Sequence, residues 1–249
     1  MTKIKSLLTI KKKTSGRDSQ GHVSIRHRGG EHKRFLRLID WRRDKLGIKA
    51  KVASIEYDPG RTSNIALLVY EDGAKSYILA STALKVGDVV VCDENAPIKD
   101  GNRLCLKNIP VGIPFHCVEF QPHQGAQLVK SAGSSAYIQS IDGSKAIVKL
   151  PSGEIRLFSS ECKATIGQVG NSEHSNIKLI KAGDSRHRGI RPSVRGVAQN
   201  PHSHPHGGGE GKSSIGMNPK TPWGKPAMGK RTRKLKNASN RLIVQRRKK

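Results

Sequence analysis

Acidic residues are in short supply. The 249-residue chain has 19 Asp and Glu against 46 Lys and Arg, a formal net charge of +27. Self-repulsion of that size opposes a compact, solvated enzyme and favours a polyanionic partner. Aromatic residues make up only 4% of the chain. Long apolar runs are missing too. The longest, Ile65 to Tyr70, is six residues, far short of a bilayer span, so no membrane partner is expected. The stretch from Ser6 to Ile10, preceded by Lys3 and Lys5, is too brief for a secretory h-region. Cys92, Cys105, Cys117 and Cys162 show no CxxC spacing, which points to buried, inert thiols in a reducing compartment.

The positive charge is unevenly placed. Residues 1–47 carry 14 basic and 4 acidic side chains, residues 48–180 carry 14 and 13, and residues 181–249 carry 18 and 2. A near-neutral centre is flanked by two strongly basic ends. A short basic run is ordinarily a solvated face or a tail, but an excess filling two whole segments is an electrostatic footprint for phosphate.

The centre has the pattern of a β core. Residues 48–57 (IKAKVASIEY) alternate roughly apolar and polar, the signal of a half-buried strand. Ile65 to Tyr70 is a fully apolar strand candidate, Glu71-Asp72-Gly73 is hairpin chemistry, and Lys75 to Ala80 returns. Val86 to Cys92 is a further strand. AYIQSI, KAIVKL and EIRLF, separated by Asp142-Gly143 and Pro151-Ser152-Gly153, predict a three-stranded meander. NIPVGIP (108–114) is a junction, so two small barrels of roughly 70 residues each fit the space, and such domains can bury a core unaided. The ends differ. Residues 181–249 hold ten Gly, six Pro and one aromatic, Trp223; so little apolar surface does not offset the ordering entropy, and an extended arm that orders on a partner is expected. RHRGGEHKR in the first 34 residues argues the same way.

Several constellations invite other chemistry. HGGGEGKS (206–213) is one position from a phosphate-binding loop, with His206 in place of the first Gly. No apolar strand precedes it, and Gly216, Pro219 and Pro222 follow where a helix would be needed. His202, His204 and His206 alternate as a metal-binding strand would, yet no fourth ligand is evident. Asp184 and Glu210 are the sole acids of residues 181–249, which argues against acid–base hydrolysis and two-metal chemistry. KRTRKLK (230–236) and RRKK (246–249) have the composition of import signals but suit any RNA-binding tail.

RHRGGEHKRFLRLIDWRR (26–43), IEYDPGRTSNIALLVY (55–70), NIPVG (108–112), GEIRLF (153–158), GQVGN (167–171), RGVAQNPHSHPHGGGEG (195–211) and TPWG (221–224) fall in order. Together they closely resemble the universal large-subunit ribosomal protein two family, from about Ser15 to the C-terminus. The resemblance implies a mainly β fold, an oligonucleotide-binding-type (OB) barrel followed by an SH3-like barrel, with long irregular basic extensions. The corresponding boundaries are 1–34 for the N-terminal extension, 35–108 for the OB-type barrel, 109–180 for the SH3-like barrel and 181–249 for the C-terminal extension. It implies a structural constituent of the ribosome, not an enzyme, that binds large-subunit rRNA near the peptidyl-transferase centre. Support of subunit association, tRNA binding and translation goes with that role. Neighbouring ribosomal proteins and a small-subunit contact are the implied partners, with no small-molecule substrate. No catalytic residue, metal ligand or cofactor is expected, apart from magnesium shared with RNA phosphates. Glu31 replaces a family Gly, and Ser203 replaces a family Asp. His206 marks a bacterial-type protein, the arm upstream of Ser15 looks short, and a mitochondrial ribosome is favoured over a plastid or bacterial one.

Charge and glycine content nominate the rRNA-binding residues. Arg26, Arg28, Lys33, Arg34, Arg42 and Arg43 serve in the N-terminal part. Arg186, Arg188, Arg191, Arg195, Lys212, Lys230, Arg231 and Arg233 serve in the C-terminal part, with His204 and His206 donating and stacking. Arg can fork two phosphate oxygens, and Gly207, Gly208 and Gly209 would let the backbone approach RNA. On residues alone, a basic nucleic-acid-binding protein outside the ribosome, a DNA-compacting protein and a His-dependent hydrolase remain the competing readings.

Overall fold

The computed structural model describes residues 4–211, 213–229 and 232–247. Two units partition the chain. The first comprises residues 4–11, 33–178 and 238–247, and the second residues 12–32 and 179–237, less the undescribed positions. Among the described residues, no helix is long and apolar enough to cross a membrane.

In the first unit, β1 (Leu8–Ile10) pairs antiparallel with β2 (Phe35–Arg37). β3 (Ala50–Glu56), β4 (Ile65–Tyr70), β5 (Lys75–Leu79) and β6 (Val89–Val90) form a four-stranded sheet in the order β5-β4-β3-β6. Alternation explains why β4 is apolar throughout. Ala66, Leu68 and Tyr70 enter one core cluster, while Ile65 enters another with Leu67 packed against it, so both faces are covered. The Glu71-Asp72-Gly73 turn forms as expected, with Gly73 at φ 80° and its amide donating to the Tyr70 carbonyl at 2.9 Å. β3 shifts register between Val52 and Ser54. A bulge there strengthens twist and helps the sheet curl.

The second sheet draws on β7 (Arg103–Cys105), β8 (Pro114–His116), β11 (Ala136–Asp142), β12 (Lys145–Lys149), β13 (Ile155–Ser159), β14 (Lys163–Ile166) and β15 (Ile243–Gln245). β9 (Val118–Glu119) and β10 (Ala126–Leu128) make a separate pair. The order β15-β13-β12-β11-β8-β14-β7 contains the expected meander as consecutive neighbours. Ala146, Val148 and Phe158 point into a core with Leu106, Phe115 and Ile138. The fold is mainly β, with curled antiparallel sheets of OB and SH3-like type, as the sequence implies. Several short elements carry no signal in the sequence, among them β15, which comes from the basic C-terminal part and pairs with β13 through Ile155 opposite Gln245. Three residues beside basic runs carry too little pattern to announce a strand.

A third cluster joins the sheets, combining Ile65, Tyr77 and Leu79 with Cys117 and Ala126. Beside it Arg103 and Glu119 form an ion pair at 3.0 Å, exposed by only 1% and 2%. The cost of burying two charges is offset in part by further hydrogen bonds to both groups, although Arg103 Nε has no partner among the described residues. Arg103 Nη1 donates to the Cys117 carbonyl at 3.0 Å, and Glu119 accepts the Gly125 and Lys163 amides at 3.2 and 3.0 Å. One carboxylate thus ties β7, β14 and the β9–β10 pair together. All four cysteines are free and buried, and burial pushes the Cys117 and Cys162 thiols up to about 11.

His116 is buried in the same region, its Nδ1–H donating to the Gly167 carbonyl at 2.8 Å. Burial, reinforced by the Arg43 and Arg103 charges, pushes its pKa down to about 4. Unfolding restores a normal imidazole near 6.5, so the unfolded chain binds the extra proton between pH 6.5 and 4. Stability is therefore unaffected above that window and falls as pH drops through it, by up to about 3 kcal/mol. Urea midpoints measured from pH 7 to 4 should show this loss, and His116→Gln should flatten it; an unchanged profile in the variant would assign the loss to carboxylates.

Candidate nucleic-acid interface

The second unit has little core, and its backbone holds it together. Residues 12–32 and 179–237 meet through the Arg28–Ile190 bridge, where the Gly29 amide donates to the Gly189 carbonyl at 3.0 Å and the Arg191 amide to the His27 carbonyl at 3.1 Å. The His32 and His187 rings lie 4.3 Å apart beside this seam. The two basic segments, treated separately in the sequence, thus form one body. A short helix, α1 (Ala182–His187), begins there, with the Asp184 carboxylate accepting the Lys181 amide at 3.4 Å. Gly189, at φ 87°, is buried, and a side chain there would press on Glu31. The Glu31 departure accordingly fills space inside the unit.

Arg26, Arg28, Arg186, Arg188, Arg191, Arg195 and Arg233 are all exposed in this unit. Lys33, Arg34, Arg42 and Arg43 belong to the first unit instead. Of these Lys33 and Arg42 are exposed, whereas half-buried Arg34 donates to the Pro59 carbonyl at 3.3 Å. Arg43 needs a correction as an RNA contact. It is 3% exposed, its backbone sits at φ 52°, and its guanidinium donates to the Gly101 carbonyl at 2.5 Å. Charge type hid its burial. Lys212, Lys230 and Arg231 lie outside the described residues.

Around His204 the chain folds back on itself. The Asn200 carbonyl accepts the Ser203 and His204 amides at 2.8 and 3.2 Å, and its side chain accepts the His202 amide at 3.0 Å. His204, 8% exposed, accepts the His206 amide on Nδ1 at 3.0 Å; His206 in turn accepts the Lys220 amide on Nε2 at 2.9 Å. A backbone amide can only donate, so both acceptor nitrogens carry no proton. Burial, with His206 and Arg26 nearby, holds the His204 pKa below its ordinary value. These rings therefore act first as internal acceptors. The glycines are also used internally. A side chain on Gly207 would strike the Gln199 and Asn200 carbonyls, and Gly208 and Gly209 sit at φ 89° and 88°.

The exposed aromatic of this unit is Trp223. It is 73% exposed, and the Arg26 guanidinium lies 5.2 Å from its ring centroid. Its sequence signals are its isolation, as the single aromatic of residues 181–249, and its place in the TPWG motif.

A barrel-type β body carrying an arginine-studded, glycine-rich unit defines a structural RNA-binding protein. Residues 4–92 match the family model described as Ribosomal Proteins L2, RNA binding N-terminal domain, and residues 99–224 match Ribosomal Proteins L2, C-terminal domain. The chain belongs to the ribosomal protein L2 family, whose members are structural proteins of the large ribosomal subunit rather than enzymes. Ribosomal RNA and other ribosomal proteins are its partners, and the ribosome is its location.

The His204 loop generates a direct test. A methyl group on Gly196 would lie 2.6–2.8 Å from the His204 ring. Gly196→Ala should displace that ring and break its bond with the His206 amide. Exchange of the His206 amide should then speed up by roughly fivefold, the loss of a hydrogen bond worth about 1 kcal/mol, with amides of β11–β13 unaffected. Unchanged exchange at His206 would show that the ring does not hold the loop.

Proposed function

We propose that this protein is a primary binder of large-subunit rRNA near the peptidyl-transferase centre, where it supports subunit association and tRNA binding and touches the small subunit. The observation that carries the reading is the exposed set Arg186, Arg188, Arg191 and Arg195, beside Arg26 and Arg28, on a unit with few acids. Phosphate neutralisation by these groups supplies affinity. The protein needs no cofactor of its own in this role; magnesium enters with the RNA, shared with its phosphates. Glu31 and Ser203, where the family pattern has Gly and Asp, favour a mitochondrial ribosome over a plastid or bacterial one. We assign phosphate contacts to Lys33, Arg42 and Arg233 as well, with His206 and Gly207 to Gly209 shaping the loop that meets RNA.

Two measurements test this. Arg188→Ala or Arg195→Ala should weaken rRNA binding and lower the log–log salt slope by about 0.9, whereas Lys149→Ala on β12 should do neither; equal losses would contradict the arm-based interface. Because the native thiols are buried, Ser203→Cys gives one addressable thiol for an iron chelate. Hydroxyl-radical cleavage in assembled subunits should cluster at peptidyl-transferase nucleotides, and cleavage confined elsewhere would refute the placement.

A further inference from the structure

We propose that Trp223 is a stacking platform for an unpaired nucleobase of the RNA, a contact distinct in kind from the phosphate neutralisation around it. The proposal rests on the RNA-binding reading above.

The indole is held by a built turn. The Gly224 amide donates to the Thr221 carbonyl at 2.9 Å, the Thr221 amide to the Lys225 carbonyl at 2.7 Å, and the Lys225 amide to Thr221 Oγ1 at 3.2 Å. Lys220 and Pro226 close the pair as an antiparallel bridge. Pro222 and Trp223 occupy the two central positions, and Gly224 follows at φ 75°. This is the pattern of a three-residue hairpin loop, a type I turn ending in a left-handed glycine. The base of the hairpin is anchored in turn, since the Lys220 amide is the donor to His206 Nε2. Trp223 therefore stands at the tip of a braced hairpin rather than on a free tail.

Its surroundings select the occupant. Arg26 covers part of the indole at 5.2 Å, yet the residue remains 73% exposed, so a broad aromatic surface stays open. Exposing a tryptophan to water is costly, and among the described residues the Arg26 guanidinium leaves most of it uncovered. Exposed Lys220 and Lys225 on the same hairpin, with Arg26 above it, favour an anionic polymer over an apolar protein surface. A nucleic-acid strand offers flat bases on an anionic backbone. Base–aromatic stacking tolerates any base, and guanidinium contact adds to it. Arg26 and the turn also fix the ring beforehand, which lowers the entropic cost of binding.

The full chain labelled with 5-fluorotryptophan gives two fluorine resonances, from Trp41 and Trp223, and Trp223→Phe assigns them. Saturation with an rRNA fragment should shift the Trp223 resonance, and inorganic polyphosphate should not. Trp223→Ala should weaken RNA binding about tenfold, in the range of one lost stack, with an unchanged salt slope, and Trp223→Phe should recover most of it. An unmoved Trp223 resonance in a saturated RNA complex would overturn the proposal. So would a shift that appears only when other ribosomal proteins are added. Loss of the parent reading looks different: the wild-type chain itself would then show no salt-dependent RNA binding.

Discussion

Mutual repulsion among 46 cations, opposed by only 19 anions, is the constraint around which this molecule is arranged. The first unit, which holds 15 of the 19 acids, meets it in part by pairing. Asp58 lies beside Arg37 and Arg61, Asp72 beside Lys45, and Glu119 beside Arg103. With those charges matched, apolar clusters can close around β4 and β12. In the second unit Asp18 and Asp184 accept backbone amides, so they shape the chain more than they discharge it. The excess is left facing outward, where a polyphosphate can supply the missing counter-charge.

Order in the second unit comes from directional bonds rather than from a core. The loop around His204 is built from carbonyls of Gln199 and Asn200, two imidazole acceptors and glycines that fit against them. Such a loop is compact without being oily, which suits a surface meant to lie on a hydrated polyanion. The histidines are structural first. Any contact they make with RNA is framed by nitrogens already committed to backbone amides.

A continuous apolar run made β4 legible and turn-punctuated alternation the β11–β13 meander, since one face or both must be apolar to be buried. Weak or absent periodicity concealed the rest. β15 is three residues long and α1 six, too short to show a pattern. The joining of residues 12–32 to 179–237 depends on amides and carbonyls, which every residue type shares, so composition alone suggested separate arms. Arg43 was misplaced because its residue type signals solvent, while a left-handed backbone and the Gly101 carbonyl draw it inside. In the binding region, arginine positions were readable as charge. Trp223 needed the hairpin and its neighbour Arg26 to acquire meaning.

β15 has a consequence for synthesis. The strand that covers the outer edge of β13 is drawn from residues 243–245, so a nascent chain emerges with its meander complete and that border uncovered. Until residues 243–245 leave the exit tunnel, β13 presents unpaired amides and carbonyls, a template that invites pairing with another chain. Vectorial translation therefore leaves a short interval of vulnerability. Early engagement of the preceding cationic stretch by nucleic acid would shield the molecule through it, because like-charged complexes coated in polyphosphate keep one another at a distance.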